Sequence, residues 1–314
     1  MHLFNKIYSK LFGMVGLAIV LLYYLKENNR QNFSQNKITQ TVVVVNDTLF
    51  TIHVKKNITV KHYFEFIDSL VTRYDSLTPY SLTEHLLVRA NPRIIDRLQN
   101  TDYYRMKAKD SFVYNQREMV VLKKNSVFMV PVLAKAEEII SSFQNTIIDV
   151  NIPEYKLRIY EDSVLLYEFP IRVGRNEKKY LKMGNRVTDL RTITGTGSIV
   201  DHIRNPDYYD PVNGKQYFST TRDDKKVTRL PQIPFIETEI NGIRNGQMIH
   251  PTTNPISLGK PYSNGCIATN EAAAWLIYYH ATLGTKININ YNLTIVDESG
   301  EQILLEDIYG YQKN

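Results

Sequence analysis

The sequence predicts an α+β protein whose larger, C-terminal region is mainly β. Three observations carry this. From about Ile147 onward, short apolar runs are separated by Gly, Asn, Asp and Pro, which is strand-and-turn punctuation. In this region only Glu271 to Leu283 has convincing helical spacing. Upstream, between Thr41 and Ala134, β-branched runs are interleaved with two helical patterns.

The N-terminus divides from the rest by composition. Leu11 to Leu25 is apolar or nearly so, preceded by Lys6 and Lys10 and closed by Lys26, the layout of a signal peptide or signal anchor. Its 15 residues reach about 22 Å as a helix, short of the ~30 Å hydrocarbon core, and Tyr23, Tyr24 and the flanking lysines make up the difference at the interfaces. Glu27, Asn28, Asn29 and Arg30 follow and offer no small-residue cleavage site, so an uncleaved anchor is expected. Lys26 to Gln40 is a polar tether.

Residues 41–146 read as a small α+β module with a connector. Val42–Val45 and Thr48–Val54 are strand-like around Asn46-Asp47. His62 to Tyr74 puts Phe66, Ile67, Leu70 and Tyr74 on one helical face, and Leu82 to Asn100 is helical with a break at Asn91-Pro92. Val120–Leu122 and Ser126–Val130 are strand-like, and Ala136–Gln144 is a short connecting helix. Residues 147–292 form the mainly β unit. It opens with a hairpin, Lys156–Tyr160 and Val164–Val173, around Glu161-Asp162-Ser163. In the helix from Glu271, the residues Ala272, Trp275, Leu276, Tyr279 and Leu283 share a face, with Thr269 or Asn270 as cap and Gly284 as stop; His280 falls off that face and is expected to be exposed or capping. Lys286–Tyr291 is a strand, and residues 293–314 are a C-terminal extension with a hairpin around Glu298-Ser299-Gly300.

Composition narrows the chemistry. The 314 residues carry a net charge of +6, which suits an anionic surface or polymer, but there is no dense basic arm and no zinc-finger or helix-turn-helix spacing, so nucleic acid is not an expected partner. A single cysteine, Cys266, excludes an internal disulfide and a cysteine-rich metal site. The histidines show no metal-ligand spacing, and neither a metal nor a cofactor is expected.

The residues that carry chemistry are Met248-Ile249-His250-Pro251-Thr252 and Tyr262-Ser263-Asn264-Gly265-Cys266-Ile267-Ala268. A thiolate is a strong nucleophile toward carbonyls, and an imidazole is the usual base that generates it near neutral pH. Gly265 suits a tight turn that presents the neighbouring side chain, and backbone N–H groups of that turn are candidate donors to a tetrahedral oxyanion. One cysteine and one histidine would by themselves also fit a buried thiol and a satisfied core imidazole.

The surrounding pattern decides between these. Ser263-Asn264-Gly265-Cys266-Ile267-Ala268, with His250 and Thr252 upstream, resembles the Ser-His-Gly-Cys-[Ile/Val]-Arg motif of the L,D-transpeptidase (YkuD-like) catalytic domain. Asn151-Ile152-Pro153, Phe169-Pro170-Ile171-Arg172-Val173-Gly174, Thr192-Ile193-Thr194-Gly195 and Asn205-Pro206 are similar to that family's segments, in order. The resemblance covers about Ile147 to Ile289. It implies a β-sandwich-like catalytic fold and acyl transfer through a thioester on Cys266, with His250 as base and peptidoglycan stem peptides as substrate. It implies site-loop roles for Ser263, Asn264, Gly265 and Ile267, and substrate contacts from Thr252, Tyr262, Arg191 and Arg244. With the anchor, it implies a cell-envelope enzyme held in the cytoplasmic membrane, its catalytic domain on the periplasmic side. Residues 201–240 resemble the substrate-covering lid. The Asn-Asp-Thr-Leu strand, Ala-Asn-Pro and Leu-Lys-Lys-Asn order of residues 41–146 resembles a wall-binding LysM module, beside the plainer reading of a structural domain.

Two positions depart from the family motif. Asn264 stands where relatives carry a second histidine, and Ala268 where they carry an arginine. Asn264 hydrogen-bonds but does not titrate, and Ala268 supplies neither charge nor donor. Arg191, Arg222 and Arg244 are candidates for the missing cation. The departures keep two alternatives open: an L,D-carboxypeptidase or related hydrolase, and a catalytically impaired wall-binding protein.

Overall fold

The computed structural model describes residues 47–297 and 299–312. The expected anchor, the tether and the Val42–Val45 strand lie outside them. Among the described residues no helix is long and apolar enough to cross a membrane.

The N-terminal elements follow the predicted order. Strand β1 is Thr48–His53 and β2 is Ile58–Thr59. Helix α1, Tyr63–Tyr74, buries Tyr63, Phe64, Ile67 and Leu70. The broken helical pattern becomes α2, Glu84–Arg89, and α3, Arg93–Gln99, parted at Asn91-Pro92. Thr83 caps α2 through its side chain. A short helix α4, Tyr103–Lys107, adds to the predicted set; the Asp102 carboxylate caps it by accepting from the N–H groups of Tyr104 and Arg105. Strands β3, Val120–Leu122, and β4, Val127–Pro131, pair with β2 and β1 respectively, and α5 is Leu133–Gln144.

The remainder is mainly β. It comprises β5 (Thr146–Asn151), β6 (Lys156–Glu161), β7 (Val164–Pro170), β8 (Val173–Gly174), β9 (Lys178–Leu181), β10 (Arg186–Asp189) and β11 (Gly195–Ile203). There follow β12 (Ser219–Thr221), β13 (Val227–Arg229), β14 (Phe235–Ile240), β15 (Ile243–Pro251), β16 (Pro261–Ser263) and β17 (Ile267–Thr269). Helix α6 (Glu271–His280) and strands β18 (Lys286–Asn290), β19 (Thr294–Val296) and β20 (Gln302–Leu304) complete the chain. The predicted hairpins form: β6 pairs antiparallel with β7, and β19 with β20.

An eight-stranded mixed sheet runs β17-β15-β14-β11-β18-β5-β6-β7. The β15–β17 and β18–β5 pairs are parallel and the others antiparallel. The chain leaving β7, the last strand, then crosses to β17, the first. Arg172 and Ala268 exchange both backbone hydrogen bonds, at 2.8 and 2.9 Å. One edge of the sheet is thereby tied to the continuation of the other.

One hydrophobic core joins the N-terminal helices to this sheet. Helix α6 lies at its centre and is buried on every side, so the single apolar face expected from sequence is a full apolar surface. Leu283, expected on that face, lies past the helix end and is 62% exposed. His280 is corrected the other way: it is buried, beside Arg89 Nη1 at 2.8 Å and Glu161 Oε1 at 3.0 Å. The helix is wrapped by α2, α3 and the sheet, so even its polar positions need buried partners.

Candidate active site

Strand pairing places His250 and Cys266 on the same face of the sheet. In the parallel β15–β17 pair, Ile249 lies opposite Ile267 and His250 opposite Ala268. Directly paired residues project to one face, and so do residues two apart in an extended chain. Ile249 and Ile267 point into the core. His250 and Ala268 take the other face, and Cys266, two residues before Ala268, emerges on that side. Both residues are partly buried rather than fully enclosed.

The loop before Cys266 is built from its own polar atoms. Ser263 Oγ donates to the Cys266 carbonyl at 2.6 Å and accepts from the Gly265 N–H at 3.2 Å. Gly265 has φ +112°, a region that L side chains avoid, and an added Cβ would lie 2.6 Å from Gln247 Nε2. Glycine is therefore required here twice over. The Gly265 N–H, a candidate oxyanion donor, is engaged within the loop.

Neighbouring segments clamp this loop. Thr192 Oγ1 donates to the Gly265 carbonyl at 2.9 Å and accepts from the Gly174 N–H at 2.8 Å. Gln247 donates to the Arg191 carbonyl and accepts from the Ile193 N–H. The C-terminal extension reaches the same place: Tyr309 Oη donates to the Gly174 carbonyl at 2.7 Å and accepts from the Thr192 N–H at 3.1 Å. Gln247 lies in the Gly246-to-His250 run that resembles the family, but nothing local marks its role across loops, and Tyr309 carries no signal at all.

The imidazole has a defined tautomer. Its Nδ1 lies 2.9 Å from the Pro251 carbonyl, which only accepts, so Nδ1 carries the hydrogen and Nε2 holds the lone pair. Burial pushes the His250 pKa down to about 4, against the pull of that carbonyl and with a smaller push from Arg172. Burial pushes the Cys266 thiol up, partly countered by a backbone hydrogen bond from Met248 and by Arg172. Near neutral pH the resting pair is therefore thiol and neutral imidazole, a base waiting rather than a preformed ion pair. Phe235 packs on the His250 ring with centroids 4.9 Å apart, and Tyr208 packs on Phe235 at 5.4 Å, linking segment 201–240 to the base.

The other sequence candidates are placed as follows. Ile267 is a core residue. Thr252 is buried; its N–H donates to the Thr269 carbonyl and its hydroxyl accepts from the Asn254 N–H. Tyr262 is 64% exposed beside the loop. Among the described residues no hydrogen bond holds the Asn264 carboxamide, which leaves it available to a ligand. Arg191 is paired with Asp189 and lies over the Tyr311 ring, while Arg244 is paired with Glu237 and is exposed. Arg222 is buried against Glu271 and Gln116, with the Tyr103 ring beneath it. None of these three supplies an uncommitted charge. A fourth arginine, Arg172, is brought next to the cysteine strand by its backbone bridge to Ala268. Its residue type and motif were visible in the sequence, but its partner strand was not.

Residues 145–289 match the family model of the L,D-transpeptidase catalytic domain, YkuD. No curated protein matches the chain. Among solved structures, the chain is similar to an L,D-transpeptidase from Mycobacterium smegmatis at 15% identity and TM-score 0.33, over 46% of this chain and 58% of that one. It is similar to an L,D-transpeptidase from Xylanimonas cellulosilytica at 14% identity and TM-score 0.34, over 76% and 97%. It is also similar to L,D-transpeptidase 3 from Mycobacterium tuberculosis, in complex with a faropenem-derived adduct, at 18% identity and TM-score 0.31, over 46% and 60%. The chain thus spans less than two thirds of the first and third of these relatives. The segment that matches the L,D-transpeptidase catalytic domain model, residues 145–289, holds both His250 and Cys266.

Proposed function

We propose that the protein is a peptidoglycan L,D-transpeptidase that works by cysteine acyl transfer. The observation that supports this reading is the strand register, which puts His250 and Cys266 on one face of the sheet, with no hydrogen bond to the imidazole Nε2 among the described residues. His250 Nε2 takes the thiol proton, and sulfur attacks the carbonyl of an L-to-D bond in a donor stem peptide. The C–N bond breaks, the departing D-residue amine takes a proton from the imidazolium, and a thioester remains on Cys266. An amine from a neighbouring stem, deprotonated by His250, then displaces the thiol. Proton transfer by His250 contributes on the order of 10²–10⁴ in rate. The Asn264 carboxamide is suited to a substrate peptide group. The expected setting is the cell envelope, with the N-terminal segment as membrane anchor.

The test is incubation of the protein with disaccharide-tetrapeptides, followed by mass spectrometry. A thioester on Cys266 together with cross-linked dimers or exchanged terminal D-residues supports the reading. Shortened peptides alone mean that water resolves the thioester, making the protein a carboxypeptidase. Absence of any adduct, including one with a carbapenem, together with full complementation by Cys266→Ala, would replace catalysis with wall binding.

A further inference from the structure

Arg172 is an unusual cation. It follows β7, and its backbone is fixed on both sides of the peptide by Ala268. His250 pairs with the same Ala268 from the opposite strand. Arg172, Ala268 and His250 are therefore in register across three strands and share one face, with Cys266 two residues from the middle member. The middle member has a methyl group for a side chain. Nothing bulky in that row separates the guanidinium from the thiol and the imidazole.

The guanidinium is also short of partners. Its Nη1 donates to Ser257 Oγ at 3.1 Å, and Ser257 Oγ in turn donates to the Asn254 carbonyl at 2.7 Å. Its Nε is buried with no acceptor, and among the described residues Arg172 makes no ion pair with a carboxylate. The other arginines considered for the site are neutralised by Asp189, Glu237 and Glu271. A half-buried guanidinium without a counter-ion is costly, because charge taken from water must be offset by a partner. The ionisable groups near enough to act on its charge are Cys266, the cationic Arg175 and the Tyr217 phenol. Arg175 is drawn off toward the Tyr262 and Ser263 carbonyls and Glu177.

We propose that Arg172 is the counter-ion of the Cys266 thiolate, leaving His250 free to remain a neutral base. This rests on the thiol chemistry of the transpeptidase reading and adds the source of charge balance. When the S–H bond breaks, its electron pair stays on sulfur beside the guanidinium, and the proton goes to His250 Nε2, which returns it to the departing amine and is neutral again for the second step. A permanent cation opposite Ala268 favours the charged sulfur and disfavours a charged imidazole. The stored partner is thus the guanidinium rather than an imidazolium, and the imidazole keeps its lone pair for the incoming amine. Arg172 acts through Cys266 and is a positioning residue. It stands across the bridge from the position where the motif of relatives has its arginine.

The experiment is the rate of Cys266 alkylation by iodoacetamide as a function of pH in the full chain. Wild type, Arg172→Met and Arg172→Lys are compared, each checked for folding by circular dichroism. Arg172→Met should move the midpoint upward, leaving about three- to tenfold less thiolate at a given pH below it, and Arg172→Lys should restore most of the difference. A merely structural arginine would change the rate equally at every pH. An unmoved midpoint in a folded Arg172→Met variant, or an Arg172→Lys midpoint matching that of Arg172→Met, overturns the proposal. If the midpoints move as expected but tetrapeptides give no thioester, the charge assignment stands and the transpeptidase reading fails.

Discussion

The Thr192 hydroxyl donates to the Gly265 carbonyl at 2.9 Å, so a residue far upstream sets the position of the loop that presents Cys266. The same oxygen accepts from the Gly174 N–H. Thr192→Val keeps the shape and removes both bonds. A buried donor and a buried acceptor are then left unsatisfied, at a cost of about 1–3 kcal/mol for each group. The melting temperature should fall, and acylation of Cys266 should fall with it, read as the rate of carbapenem adduct formation.

Gly265→Ala tests loop geometry more sharply. Its φ of +112° and the Gln247 amide 2.6 Å from the new methyl both forbid the present conformation. The loop must shift, and a displacement of about 1 Å at a nucleophile costs on the order of 10²-fold. Gln247→Ala relieves only the steric half, so the double variant should recover part of the adduct-formation rate and not all of it.

The pH dependence of stability carries the signature of His250. Its folded pKa is lowered from 6.5 to about 4, so between those values the unfolded chain binds more protons than the folded one. The contribution is complete above about 6.5 and is lost as the pH falls toward 4. His250→Gln should therefore destabilise less on acidification from pH 7 to pH 4 than wild type. Urea denaturation at a series of pH values measures the difference; parallel curves would mean that the imidazole is not desolvated.

The buried pair of Arg222 and Glu271 joins three parts of the chain. Arg222 lies between β12 and β13, Glu271 begins α6 just after the cysteine strand, and Gln116 and the Tyr103 N–H bind the same carboxylate. Arg222→Met strands a buried carboxylate and should cost about 3–5 kcal/mol, whereas the double variant with Glu271→Leu should cost less than Arg222→Met alone. Denaturation midpoints of the two variants decide this.

Tyr309 gives the C-terminal extension a specific task. Tyr309→Phe removes the oxygen shared by the Gly174 carbonyl and the Thr192 N–H. About 1–3 kcal/mol of stability should be lost, accompanied by slower adduct formation at Cys266. Unchanged stability and rate would make the extension dispensable.

Sequence by itself determined the features that depend on neighbours in the chain. The Ser263-to-Ala268 run marked the nucleophile and its loop, the His250-Pro251-Thr252 run marked the base, and alternation marked the β6–β7 hairpin, because turns, caps and strand periodicity are local properties. Tertiary structure alone decided which strands meet. Only the bridge from Arg172 to Ala268 shows that the cation comes from the continuation of β7, and only the packing around α6 shows that His280 is buried. Pairing between distant segments is set by how the whole core closes, and no short window of residues contains that information.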